Sequence, residues 1–326
     1  MKNRIVVVSE YLYPAQRNDA KLLTDITETL SETNDENISV ICTSDLNGGK
    51  ELDFLEGKIE RLKSSKFNEK NIFLRILKFF ILTFRLIIKS TIHIKKSDRV
   101  FSTTNPAFLF PVLVLLKKIK GFEYTLLVYD VFPENLVAAN IIKDKSILFK
   151  ITKKIYNWAY SNVDRLVVIG RDMEEVIANK TNNKASTFLI ENWCDYKTVI
   201  ATNKEDNTII QNFKLENKKV FLFSGNFGRV QGIQNLLNAA KLIKNNDFVL
   251  LFIGDGAMKK EILSHIDNKK SNNVFYGGSY PASEQNVFLN ACDVAIMSLS
   301  SSMYGLGVPS KSYYNMAAEK PLVYIG

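Results

Sequence analysis

VFLFSGNFGRVQGIQNLLNAAKLIKNNDFVLLFIGDG, residues 220–256, decides how this chain folds. Val220–Ser224 and Phe248–Ile253 are apolar runs of strand length, and Ile233–Asn245 between them carries apolar residues at three- and four-residue intervals. Runs without polar alternation describe strands covered on both faces, and the intervening period describes the helix that covers one of them. The stretch is therefore a strand, a glycine-bearing loop, a helix and a second strand.

The same alternation continues in both directions. Downstream lie Ala257–Asp267, Val274–Tyr276, Ser283–Ala291, Val294–Ser298, a helix opened by Pro309, and Leu322–Ile325. Upstream, strands are expected at Ile5–Ser9, Ile38–Thr43, Arg99–Ser102, Tyr124–Tyr129 and Leu166–Ile169. Helices are expected at Asp19–Glu32, Asn71–Ile92, Ala107–Lys118, Ser146–Ser161 and Asp172–Lys180. The polar stretch Thr202–Lys219 reads as a linker between two β/α halves. The expectation is an α/β protein of two doubly wound domains, 1–201 and 202–326. Ligands of such sheets bind outside the carboxyl ends of the strands, and two facing sheets would set those loops across a cleft.

Composition narrows the chemistry. In 326 residues, 46% are hydrophobic and 24% charged, which suits a folded protein. Cys42, Cys194 and Cys292 are widely spaced, so neither a disulfide framework nor a zinc ribbon follows. His93 and His265 are the two histidines, which argues against a histidine metal cluster or a Ser/His/Asp triad. The net charge of +9 suits nucleic acid, an anionic membrane or phosphorylated ligands, and no nucleic-acid motif accompanies it. Within Asn71–Lys96, Arg75, Lys78, Arg85 and Lys89 interleave with Phe and Ile as in a basic amphipathic helix. It is either a core helix with snorkelling cationic stems or a surface that rests on an anionic leaflet. The start MKNRIVVVSE lacks an apolar signal region, so a cytoplasmic location is expected.

Several loops could carry chemistry. After Val220–Ser224, Gly225 and Gly228 permit close approach to a ligand and Arg229 offers a forked donor for phosphate, although a plain glycine turn reads equally well. In IGDGAMKKEI, Asp255 either caps the next helix or, with Gly256, borders a ligand. YDVFPENL sets Asp130 and Glu134 at a strand end, where Asp130 either caps the helix after Pro133 or meets a hydroxyl and accepts its proton. Arg17 and Asn18 stand in the loop after the first strand. In GLGVPSKSYYNMAAEKP, Gly305–Pro321, a Pro309-initiated helix would present free amides to an anion, with Ser310 and Lys311 adding a hydroxyl and a charge.

In combination and order, SEYLYP, STTNPAFLFPVLVLLKKIKG, YDVFPENLVAA, VDRLVVIGRDMEEVI, ENWCD, FSGNFGRVQGIQNLLNAAK, FIGDGAMKKEI and GVPSKSYYNMAAEKP resemble family 4 glycosyltransferases of the GT-B fold, over nearly the whole chain. The resemblance is closest to the branch that builds bacterial O-antigen and capsule repeats on a lipid carrier. It implies retaining transfer of a sugar from a nucleotide-diphosphate donor, commonly UDP-linked, to an undecaprenyl-diphosphate-linked saccharide. The protein would then be peripheral at the inner face of the membrane, with no nucleic-acid partner. Arg229 and Lys311 would neutralise the departing diphosphate, aided by the Pro309 helix, without a metal or other cofactor. Asp130 would face the transferred sugar, and loops around Asp255 and Tyr276–Gly278 would hold the nucleoside.

The chain also departs from the pattern. Leu306 and Tyr314 stand where many members carry two glutamates, and Glu319 stands where glycine is usual. Members continue past the strand matching Leu322–Ile325, so a carboxyl-terminally truncated protein with an incomplete second domain is expected. An epimerase of the same fold and a degenerate donor-binding protein are the alternatives.

Overall fold

The computed structural model describes residues 4–15, 17–33, 37–44, 46, 50–62, 72–245, 247–268 and 272–326. The chain divides into two compact units: Met1–Glu191 with Gly305–Val308, and Asn192–Tyr304 with Pro309–Gly326.

In the first unit, β1 (Ile5–Ser9), α1 (Asn18–Thr33), β2 (Ile38–Cys42), β3 (Ile59–Arg61), α2 (Ile72–His93), β4 (Arg99–Thr103), α3 (Leu109–Lys120), β5 (Glu123–Val128), α4 (Glu134–Ala138), α5 (Ile147–Tyr160), β6 (Arg165–Val168), α6 (Arg171–Thr181) and β7 (Ser186–Leu189) follow in order. The strands form one sheet, β3-β2-β1-β4-β5-β6-β7, with every pairing parallel. The order reverses between β1 and β4, the switch point at which doubly wound sheets open toward ligands. All five residues of β1 are buried, as its unbroken apolar run requires. The helix expected from Asn71 begins at Ile72, and Asn71 itself lies outside the described residues.

The second unit contains α7 (Thr208–Phe213), β8 (Lys219–Asn226), α8 (Ile233–Leu242), β9 (Phe248–Asp255), α9 (Lys259–Asp267), β10 (Val274–Tyr276), α10 (Gln285–Leu289), β11 (Val294–Ser298), α11 (Lys311–Ala317) and β12 (Leu322–Ile325). Its parallel sheet runs β10-β9-β8-β11-β12 and reverses between β8 and β11. Strand residues alternate between two cores. Val220, Leu222, Leu251 and Ile253 pack on one face with Ile209 and Ile210, while Phe223, Leu250 and Phe252 pack on the other with Ile233, Leu236 and Phe227.

The expected linker is in fact folded. Asn207 caps α7 through a 3.0 Å bond from the Ile209 amide, and Ile209 and Ile210 are core residues. Lys204 anchors the preceding turn, its ammonium 2.8 Å from Asp293 and 2.7 Å from the Lys218 carbonyl. The division between units falls at Glu191/Asn192, upstream of the expected 201/202. The reason is local: the Ile200 and Thr202 amides donate to Asn286 and Asn290, both in the second unit, at 2.9 Å each.

Candidate functional site

At the carboxyl end of β5 in the first unit, the Tyr129 and Asp130 amides both donate to Thr104 Oγ1 at 3.2 Å. This holds the half-buried Asp130 beside the end of β4. Burial pushes its carboxyl up to about 6, Asp19 adds repulsion, and a hydrogen bond from Asn105 and the charge of Arg17 oppose the rise. The capping role is not what forms, because Pro133 occupies the cap of α4 without a side-chain bond. Glu134 is instead paired with Lys180, at 2.6 Å.

The groups around Asp130 come from the segment between β1 and α1, the first turn of α1 and the loop after β4. Arg17 grips Asp19 through two bonds of 2.8 and 2.9 Å and lies 4.2 Å over the Tyr11 ring. Burial raises the Glu10 carboxyl, against a hydrogen bond from Tyr11 and the charge of Arg17. The first unit therefore gathers three carboxylates around one guanidinium. The sequence pointed to Arg17 and Asn18 as contacts but not to Glu10, Asp19 or Asn105; Glu10 and Asn105 stand just past strand ends and Asp19 in the first turn of α1. Leu306, where a glutamate is common, is buried, and its carbonyl accepts the Val131 amide at 3.0 Å.

At the carboxyl ends of β8 and β9, the strands run two residues beyond the apolar runs, with Gly225 opposite Gly254 and Asn226 opposite Asp255. The pairing needs glycine at 254: a Cβ there would sit 1.9 Å from the Gly225 carbonyl oxygen. Asp255 accepts the Gly256 amide at 2.7 Å and pairs with Lys259 at 2.8 Å, and these bonds hold its carboxyl below the usual range. It is exposed and does not cap α9, whose cap position is Met258. Tyr276 donates to the Gly254 carbonyl at 3.0 Å, stacks edge-on to Phe227, and lies under Lys259 at 5.3 Å. Asp255, Gly256 and Tyr276 are thus brought together, with Lys259 as a member the sequence did not reveal.

Lys311 opens α11 and lies over β8. Its Nζ stands 3.9 Å from the centre of the Phe223 ring, and a Cβ on Gly225 would fall 2.9 Å from its Cε. Among the described residues that buried ammonium has no hydrogen-bond partner. Desolvation pushes its pKa down to about 7. A buried cation held only by an aromatic face is positioned to receive an anion. Arg229 is exposed in the turn after β8, and Gly228 accepts the Gln231 amide at 3.1 Å there. The helix does not start at Pro309. Ser310 is the cap residue, without a side-chain cap bond, and the Pro309 carbonyl instead accepts the Ser312 amide at 3.2 Å and hydroxyl at 2.7 Å. Tyr314 packs against the Val199, Leu289 and Ala318 cluster, so the second missing glutamate is also replaced by a packing residue.

Two parallel doubly wound sheets with loop chemistry at their carboxyl ends define an α/β protein of the GT-B class. The structure of HepE of Anabaena in complex with UDP shares this fold, with a TM-score of 0.63 over 98% of this chain and 80% of that one, at 14% identity. Residues 204–324 match the model for glycosyl transferases group 1. The chain is 41% identical over 266 residues to the probable glycosyltransferase WbjE of Pseudomonas aeruginosa, covering 82% of this chain and 66% of that protein. It is 24% identical over 172 residues to the putative colanic acid biosynthesis glycosyl transferase WcaI of Escherichia coli K12, covering 51% and 42% respectively. The chain thus spans just under two thirds of the first relative and less than half of the second.

Proposed function

We propose that the chain is a retaining glycosyltransferase of family 4 that moves a sugar from a UDP-linked donor to a lipid-linked glycan in bacterial O-antigen or capsule synthesis. The observation that carries this is Lys311, a buried ammonium without a hydrogen-bond partner among the described residues, at the strand ends of a segment that matches the group 1 glycosyl transferases. The acceptor hydroxyl oxygen bonds to sugar C1 on the face that the diphosphate leaves, its proton passing to Asp130, while the bond from C1 to the diphosphate oxygen breaks and its electron pair leaves on the β-phosphate. Lys311 and Arg229 take up that charge, so no metal is required. The Ser310–Lys311 turn, Pro309 and Gly228 border the phosphates, and Asp255, Gly256 and Tyr276 border the nucleoside. Asp130 meets the acceptor side in the first unit. WbjE is named a probable glycosyltransferase, WcaI is named for colanic acid biosynthesis and HepE is described with UDP, which supports this choice of donor and pathway class.

The same reading makes the protein cytoplasmic and peripheral at the membrane, facing an undecaprenyl-diphosphate-linked saccharide. No described helix is long and apolar enough to cross a membrane. The test is a mass-spectrometric transfer assay with several UDP-sugars and a short lipid-diphosphate-sugar acceptor, run with and without EDTA, alongside thermal shift by UDP. Transfer that survives EDTA, and a UDP shift lost in Lys311→Ala, are expected. Donor binding without transfer would favour the degenerate reading, which the packed Leu306 and Tyr314 make physically concrete.

A further inference from the structure

Three neighbouring helices of the first unit, α2, α3 and α5, share an unusual composition. Their sequences contain no aspartate or glutamate, while lysine or arginine recurs in each. The helices lie side by side, α2 against α3 and α3 against α5. Phe80 of α2 stacks on Phe108 just before α3 at 5.8 Å, Phe110 of α3 meets Tyr160 of α5 at 4.9 Å, and Lys118 lies 5.9 Å over the Trp158 ring.

Each helix leaves an apolar stripe uncovered. On α2, Ile76, Phe80, Phe84, Ile88 and Ile92 recur every fourth residue and are exposed, Ile92 at 73%. On α5, Ile147, Ile151 and Ile155 are exposed at the same spacing with Trp158 three residues further on, Ile147 at 76%, and on α3 Leu115 and Ile119 are exposed, Ile119 at 74%. Scattered exposed leucines are ordinary, but aligned stripes on adjacent helices form a patch that monomeric proteins rarely show. Lys150 and Lys154, both exposed, flank the α5 stripe.

We propose that α2, α3 and α5 form one docking surface for an anionic lipid bilayer, with α5 as its main in-plane anchor. The inference deepens the peripheral placement proposed above and rests on it. Charge selects the occupant. Lys89, Lys117 and Lys153 are already paired, with Glu60, Asp164 and Glu134 of neighbouring elements, so a second copy of this chain would set the exposed Lys150 and Lys154 against their own counterparts with no acid on any of the three helices to compensate. A surface of phosphate headgroups over acyl chains satisfies both the cations and the stripes.

The experiment is co-sedimentation of the full chain with phosphatidylcholine vesicles, with and without a phosphatidylglycerol fraction, in the absence of nucleotide. The protein is expected to pellet with the anionic vesicles, to release as salt is raised, and to pellet little with phosphatidylcholine. Combined Ile147→Ser, Ile151→Ser and Ile155→Ser should weaken partition at least ~10-fold. Lys150→Glu with Lys154→Glu should weaken it on anionic vesicles. Far-UV circular dichroism checks that both variants fold. In a Trp193→Phe background, Trp158 emission should shift to the blue on the anionic vesicles. Equal binding to both vesicle types, anionic binding unchanged by the α5 variants, or a concentration-dependent dimer dispersed by them would overturn the proposal. Because no nucleotide is present, a failure of UDP binding leaves this result standing, and a failure here leaves UDP binding untouched.

Discussion

At the strand ends of the first unit, Glu10, Asp19 and Asp130 crowd around Arg17, and burial lifts Asp130 to about 6. At the strand ends of the second, Lys311 rests on Phe223 with no hydrogen-bond partner among the described residues, and burial lowers it to about 7. The two sheets have the same switch-point architecture, so topology does not set this difference. The side chains placed at those strand ends do. The first arrangement suits a neutral hydroxyl that gives up a proton, and the second suits an anion. In both, desolvation destabilises the charged form in the free protein, and a ligand of the right kind relieves it.

The largest effect should come from removing the second unit's charge. Lys311→Met is expected to weaken UDP binding at least ~100-fold, about 3 kcal/mol. It should also stabilise the ligand-free protein by about 1–3 kcal/mol, since an apolar chain replaces a buried, unpaired cation. The pH dependence distinguishes this from general damage. A lysine depressed from 10.5 to about 7 is neutral when folded and charged when unfolded across that window, so stability rises as pH rises from 7 toward 10.5. The Met variant should lose that rise. Calorimetric UDP titration and urea midpoints measured across pH 7–10 check both halves.

The corresponding change in the first unit is Asp130→Asn. UDP binding should be unchanged while transfer falls ~100-fold, the loss expected for a proton acceptor. Here the sign is opposite. A carboxyl raised from 3.8 to about 6 is protonated when folded and ionised when unfolded, so stability falls as pH rises through that window. The variant should flatten the fall, read as urea midpoints between pH 4 and 7. A large loss of UDP affinity in Asp130→Asn would break the division of labour between the units.

A subtler probe tests how Lys311 is held. Gly225 has φ +103, and a Cβ there would come 2.9 Å from Lys311 Cε. Gly225→Ala should therefore cost about 1–3 kcal/mol of stability through backbone strain, and displace the lysine enough to weaken UDP binding several-fold. Phe223→Leu, which keeps the core filled but removes the ring face, should reproduce the binding loss with a smaller stability cost.

Much of this was legible in the sequence. Val274–Tyr276, Val294–Ser298 and Ile5–Ser9 are strands over those same residues, because buried parallel strands write themselves as unbroken apolar runs, and the exposed edge strand Leu322–Ile325 was legible because it too is an unbroken apolar run. The edge strands β3 and β7 were invisible because they are short and half exposed, with polar residues among their few apolar ones. α7 was hidden in a polar stretch where two buried isoleucines do the packing. Lys311 was legible from its motif, but Phe223 was not: on a strand apolar on both faces, nothing in VFLFS tells which ring a cation will meet. The groups around Asp130 arrive from β1 and β4, more than a hundred residues and twenty-five residues upstream, beyond the reach of any local pattern.

The smallest expected effect lies at the end of α11, where sequence and structure agree on a misfit. The Lys320 amide donates to the Asn315 carbonyl and the Glu319 amide to that of Met316, at 3.0 and 2.9 Å, which is the paired-bond ending that places residue 319 in the left-handed region. Glu319 has φ +57 there. A β-carbon in that conformation costs about 1–2 kcal/mol, and a carboxylate near the last helical carbonyls adds mild repulsion. Part of the gain from glycine is offset by the greater freedom of the unfolded chain. Glu319→Gly is therefore expected to stabilise the second unit by about 1 kcal/mol without changing UDP affinity, whereas Glu319→Ala, which keeps the β-carbon and removes only the charge, should gain a few tenths. Urea unfolding of the two variants separates backbone strain from helix-end electrostatics, and equal gains would assign the whole effect to charge.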